Sequence, residues 1–344
     1  SSNTGLGWAA LFTNTTGANN TAVGSSALVL NTTGANNVAV GMNALDANTT
    51  ANNNVAVGYG SLGVNTTGAS NTALGHQTLE KNTTASNNTA VGTNALFKNT
   101  TGTRNTAVGT AALDASTTAN YNSAFGTHAG SSITTGSLNS VFGDYALAAT
   151  TTGSNNCAFG QSALGQNSTA SNNTAVGQNS LYANTTGTPN VAVGYAALDA
   201  NTTGGSNVAV GFESLTANTE GNFNTALGRG ALAANVTAHR STAVGYNALL
   251  NANVSGSSNA YNTALGFGAG SAVTTGYNNT LIGANAGDLT TTGHSNITIG
   301  YLSDSSSNSA AGQCTLGNSD ISNLRCNDQS ISALSDSRDK TDVI

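Results

Sequence analysis

The 344 residues carry 8 Lys and Arg against 14 Asp and Glu, a net charge of −6, and only 6% are charged. Average globular proteins hold roughly 25%. The basic residues are scattered singly, which excludes a basic face for nucleic acid, and no apolar run approaches the ~18 residues needed to span a bilayer. The chain starts Ser1-Ser2-Asn3 without a methionine, as expected of a processed product or a fragment.

A glycine recurs every 17 residues, at Gly7, Gly24, Gly41 and onward to Gly245. One step of 21 leads to Gly266, and Gly283, Gly300 and Gly317 restore the period, giving 19 copies. A period this fixed predicts a repeat architecture. Taking the glycine as offset zero, one copy runs Asn37-Val38-Ala39-Val40-Gly41-Met42-Asn43-Ala44-Leu45-Asp46-Ala47-Asn48-Thr49-Thr50-Ala51-Asn52-Asn53. Offsets −4 to 0 read as a short β-run. Offset −1 is apolar in all 19 copies, and offset +4 is Leu in most. Both are expected to form the core, the Leu from a second short run after the turn at Gly. Asn-Thr-Thr-Gly or Asn-Thr-Thr-Ala at +7 to +10 reads as a second turn. Gly, Asn and Thr disfavour helix. The fold class is therefore all-β: a parallel β-solenoid or β-roll of 17-residue coils. Successive strands lie about 4.8 Å apart, so the rod is roughly 90 Å long.

Offset −4 is Asn in 17 of 19 copies, which predicts an Asn ladder along the stack. Offset −2 is Ala in 14 of 19, on the strand face opposite offset −1. That column of small residues is expected to be a partner-facing seam, assembled around a closed threefold axis as a homotrimer. Three copies replace the Leu at +4 by Gly130, Gly270 and Gly287, and Ile133, Val273 and Leu289 follow as substitute core residues. Four additional residues within 251–261 are expected to bulge from one turn. Trp8 reads as an N-terminal junction. Residues 1–317 thus form a shaft, 318–334 a neck, and 335–344 the start of a further, truncated domain.

The repeat Asn-Thr-Ala-Val-Gly-x-x-Ala-Leu resembles the head repeat of YadA-like trimeric autotransporter adhesins, a left-handed parallel β-roll, and related repeats of phage tail fibres. Leu316-Gly317-Asn318 followed by Ile321-Ser322-Asn323-Leu324-Arg325-Cys326 resembles the neck that precedes the chaperone in such fibres. Ser335-Asp336-Ser337-Arg338-Asp339-Lys340-Thr341-Asp342-Val343-Ile344 is similar to the opening of the self-cleaving intramolecular chaperone of endosialidase-type tail spikes and fibres. The resemblance implies a cut between Leu334 and Ser335, with Ser335 as nucleophile and Lys340 as its base. With only the opening of that domain in the sequence, this chain is not expected to cleave itself.

Three function classes follow. The first is the structural and adhesive shaft of a phage tail fibre in the virion, attaching to a host cell-surface receptor or glycan, with a bacterial surface adhesin as the alternative location. The second is an ice-binding β-solenoid, suggested by Thr at +8 and +9. The third is a polysaccharide-degrading spike. That chemistry needs paired carboxylates, and Asp46, Glu80, Asp114, Asp199, Glu213 and Glu220 read as isolated. Beyond the resemblance at Ser335 and Lys340 no enzyme is expected, and no cofactor or metal. His76, His128, His239 and His294 read as solvated singletons, Cys157 as a small buried side chain, and the glycine spacing matches no phosphate loop. The sequence leaves the receptor-binding residues unassigned.

Overall fold

The computed structural model describes residues 2–254, 256 and 258–322. Among these residues, nineteen strands of three residues each, from β1 (Thr4–Leu6) to β19 (Cys314–Leu316), stack into one parallel sheet. The register follows the repeat: Thr21 lies against Val38, Ala22 against Ala39 and Val23 against Val40. Where the glycine step is 21, β15 (Thr242–Val244) still pairs in register with β16 (Thr263–Leu265). The added residues are therefore taken up outside the ladder. At the outer end of that loop Gly256 has open space around it.

The glycine at offset zero ends each strand. Gly41 has φ +135°, and a Cβ there would sit 2.5 Å from the carbonyl oxygen of Gly58 in the next coil. Neither the backbone angle nor the space admits a side chain, and the same contact repeats along the stack.

Among the described residues the expected second strand is absent. Offsets +1 to +6 form a ladder of turns in which +2 and +4 take left-handed angles, as at Ser26 (φ 60°) and Leu28 (φ 52°). The amides still bond from coil to coil: Leu28 N–H donates to Ala44 O at 3.0 Å and Leu30 N–H to Asp46 O at 3.2 Å. Each coil is thus closed by a strand on one side and a stacked run of turns on the other.

The expected roles of offsets −1 and −2 are reversed. Ala22, Ala39, Ala56 and their counterparts are fully buried inside the single chain, packed with Ala at +3 and Leu at +4 in one continuous core. The bulky residues at −1 face outward: Leu74 is 46% exposed and Leu227 47%. Alternation fixes which residues share a face, but the narrow coil decides which face turns in. With Leu +4 already filling the interior, the facing strand position has room for little more than a methyl group. The Ala column is therefore core and not a partner-facing seam.

The Asn ladder is present, and doubled. Asn −4 accepts on its side-chain oxygen from the next backbone amide, as Asn54 N–H to Asn37 Oδ1 at 2.9 Å. A second column at +7 bonds along the stack, as Asn48 Nδ2 to Asn31 Oδ1 at 2.8 Å. Both columns converge on the carbonyl at +10: Gly34 O accepts from Asn20 Nδ2 at 2.8 Å and from Asn31 Nδ2 at 2.9 Å. These amides are buried, so the pairing removes a desolvation cost of about 1–3 kcal/mol per group that would otherwise stand.

The three variant coils divide. Ile133 and Val273 are buried at the position of the +7 Asn; Ile133 fills the space left by Gly130, while that at Gly270 is taken first by Leu281, 2.5 Å from where a Cβ would stand, with Val273 at 3.5 Å. Leu289, the third expected substitute, is 56% exposed. Leu281 replaces Ala at −2 and fills that space instead, since a Cβ at Gly287 would meet its Cδ2 at 2.7 Å. Of the expected neck, residues 318–322 are described: Asp320 N–H bonds to Asn318 Oδ1 at 3.1 Å, and Ile321 is exposed. The remainder of the neck lies outside the described residues.

Candidate functional site

Three surfaces combine chemistry with exposure. The first is the outer face of the sheet. In every strand the side chains at −3 and −1 point outward, so an apolar strip runs the length of the rod. At its middle, Phe125, Phe142 and Phe159 stack on one another with ring centroids 4.7 and 4.4 Å apart. Offset −3 is Thr in 10 of 19 copies and otherwise mostly Val, Ser or Cys. Cys157 belongs to this column. It is half-buried on the outer face and not in the core, and burial pushes its thiol above the ordinary value.

The second surface is a set of ring ladders on the turn side. At offset +1, Tyr195 stacks on Phe212 at 5.1 Å and Tyr246 on Phe267 at 5.0 Å. The Arg229 guanidinium lies between them, 5.2 Å from Phe212 and 5.9 Å from Tyr246. Arg240 is held in the same way between Phe223 and Tyr261. Such cation–π contacts contribute about 0.5–1 kcal/mol at exposed sites. The histidines are not singletons: His76 stacks on Tyr59, His128 on Tyr145 and His294 on Tyr277. His239 accepts the Asn222 amide at 2.8 Å.

The third surface is a cleft of about 150 Å³ on the turn side, walled by two coils. Gly60 and Gly63 remove the side chains at +2 and +5 from one coil. Asn43 and Asp46 occupy those offsets in the coil before it, and Gln77 and Glu80 in the coil after it. Asp46 Oδ1 leans over Gly63, 3.5 Å from where a Cβ would stand. Burial pushes the Asp46 carboxyl above its ordinary value. Hydrogen bonds from the amides of Ala47 and Asp46 oppose the rise, and repulsion from Glu80 adds to it. Glu80 Oε1 pairs with Lys81 Nζ at 2.6 Å, while Oε2 is buried without a hydrogen-bond partner.

Two of the carboxylates expected to be isolated, Asp46 and Glu80, therefore face one cleft. Asp199 is bonded by the Thr216 hydroxyl at 2.7 Å, and Asp114 lies within electrostatic reach of Lys98 and His128. Among the described residues no group of three or more His, Cys, Asp or Glu could hold a metal ion, and no helix is long and apolar enough to cross a membrane. The cleft was legible in principle: aligned copies read Asn-x-x-Asp, Gly-x-x-Gly and Gln-x-x-Glu in successive coils. Ser335 and Lys340, with the expected cut at Leu334, lie outside the described residues. The chain matches no known family and no characterised relative.

Proposed function

We propose that the chain is the shaft of a phage tail fibre, wound left-handed and assembled as a homotrimer, that contributes to attachment at a host-surface receptor or glycan. One observation carries this reading. A rod of 19 described strands with 6% charged residues leaves an unbroken apolar column at −1 turned outward, beside an uncharged column of mostly Thr, Val and Ser at −3, and soluble single chains rarely present such a strip. Three copies arranged around an axis would cover it, and threefold display would raise weak receptor contacts by avidity. A bacterial surface adhesin has the same physical requirements and is the alternative location. The reading gives the rod no enzymatic activity and no cofactor. By the resemblance, a chaperone domain continuing from Ser335 would be cut off between Leu334 and Ser335 with Ser335 and Lys340 as nucleophile and base, a step not expected of this chain. Binding of the fluorescently labelled rod to host cells tests attachment: saturable binding is expected, and its absence across candidate hosts would reduce the rod to a spacer.

A second reading, ice binding, is favoured by the outward Thr at −3 beside apolar residues on a regular sheet. The Thr pairs first singled out serve otherwise, since Thr32 Oγ1 donates to Thr49 O at 3.0 Å within the turn ladder. Ice binding needs the sheet face free, whereas the fibre reading covers it. Thermal hysteresis at millimolar protein separates the two, and none is expected.

A further inference from the structure

We propose that the cleft between the coils of Asn43 and Gln77 binds a single pyranose residue of an uncharged or amine-bearing glycan. The proposal rests on the attachment reading and names the ligand for it. The cleft is one missing rung of two side-chain columns. With coils about 4.8 Å apart, the backbones of its two walls stand roughly 9.6 Å apart, and side-chain thickness leaves a gap of roughly 6 Å, enough for one ring inserted edge-on. Each wall presents one carboxamide and one carboxylate: Asn43 with Asp46, Gln77 with Glu80. Adjacent sugar hydroxyls both donate and accept, so they match such pairs, donating to the acid and accepting from the amide N–H.

Three further observations point the same way. Glu80 Oε2 is buried and meets no donor in the protein, and a turn of this cleft-lining side chain toward a ligand hydroxyl would give it one. Tyr59, 43% exposed, borders the cleft and offers an aromatic edge and a phenol to the ligand. Repulsion between Asp46 and Glu80 disfavours an acidic sugar and would be relieved by hydroxyl donors or an ammonium group. None of these residues belongs to the outer sheet face, so a trimer built on that face would leave the cleft columns outside it.

The test is calorimetric titration of the full chain with methyl galactoside, methyl glucoside, N-acetylglucosamine, glucosamine, glucuronic acid and calcium chloride alone. It is repeated on Gly60→Asn/Gly63→Val. Those residues already occupy the same offsets at Asn43 and Val29, and circular dichroism checks that the fold is kept. At least one neutral or amine-bearing sugar is expected to bind in the millimolar range, at least tenfold better than glucuronic acid, and at least tenfold more weakly in the filled variant. No sugar binding at about 50 mM, undiminished binding by the filled variant, or a response to calcium without any sugar would overturn the proposal. Cell attachment is scored in parallel. Equal attachment by open and filled rods overturns the role of the cleft and leaves the attachment reading standing. A rod whose open cleft binds sugar but which attaches to no cell supports the cleft and overturns the attachment reading alone.

Discussion

Two residue types set the shape of every coil. The offset-zero glycine lets neighbouring coils approach within backbone contact. Gly41→Ala is expected to cost about 1–3 kcal/mol from the backbone angle alone, with the clash against Gly58 O in addition. Gly60→Asn should be nearly silent, because Asn43 and Gln77 hold φ of 56° and 51° at the same offset. Urea unfolding midpoints of the two variants check the contrast. Three half-buried acids set the response to pH. Burial raises Asp46, Asp114 and Asp304 above the ordinary 3.8. The folded chain therefore keeps these protons to higher pH than the unfolded chain does. Their contribution is fully present below the unfolded value and is lost as pH rises through the folded ones. Replacing all three by Asn should raise the melting temperature at pH 7 relative to the parent, with the difference shrinking toward about pH 4. An increase in the difference at low pH would contradict the sign.

At the scale of the coil, stability comes from one buried Leu and two Asn columns, and the variant coils show that these roles exchange. Gly130→Leu alone would drive a Cβ to 3.0 Å from Ile133 Cδ1, an overpacking cost of about 1–3 kcal/mol. Ile133→Asn alone would leave a cavity and is expected to cost about 2–5 kcal/mol. Together they recreate the common coil, so a double-mutant cycle should show favourable coupling of more than about 1 kcal/mol. Additive losses would mean that the variant coil is not an exchange of core residues. The coil itself was legible because every copy repeats one pattern, and the strands fall where Thr-Ala-Val predicts them. Side-chain size alone points to the wrong inward face. A better signal lay in the same stretch. Asn −4 and Ala −2 share one face of the strand, and an Asn ladder that satisfies turn backbone has to point inward. A β-run is excluded because Leu +4 sits at φ near 50°, an angle that Leu does not announce and that only the copies with Gly130, Gly270 and Gly287 at that offset signal. The cleft's signal is two missing side chains, visible only across the columns of adjacent coils.

At the scale of the molecule, the rod turns two different surfaces outward. The turn side carries stacked rings, two clamped guanidinium groups and the acidic cleft, whereas the sheet side is an apolar strip with almost no charge. A strip of that length in water favours association, and a parallel sheet of identical coils offers the same face on every copy. What covers that face decides how the rod assembles. Sedimentation equilibrium at low micromolar concentration measures it most directly, on the parent chain and on Phe125→Lys/Phe142→Lys/Phe159→Lys, which places charge on the outer face while leaving the buried Ala and Leu columns intact. The account predicts a parent mass about three times 33.8 kDa and a folded variant that falls to the mass of one chain. A parent that sediments as a stable monomer, or a variant that stays trimeric, would contradict it.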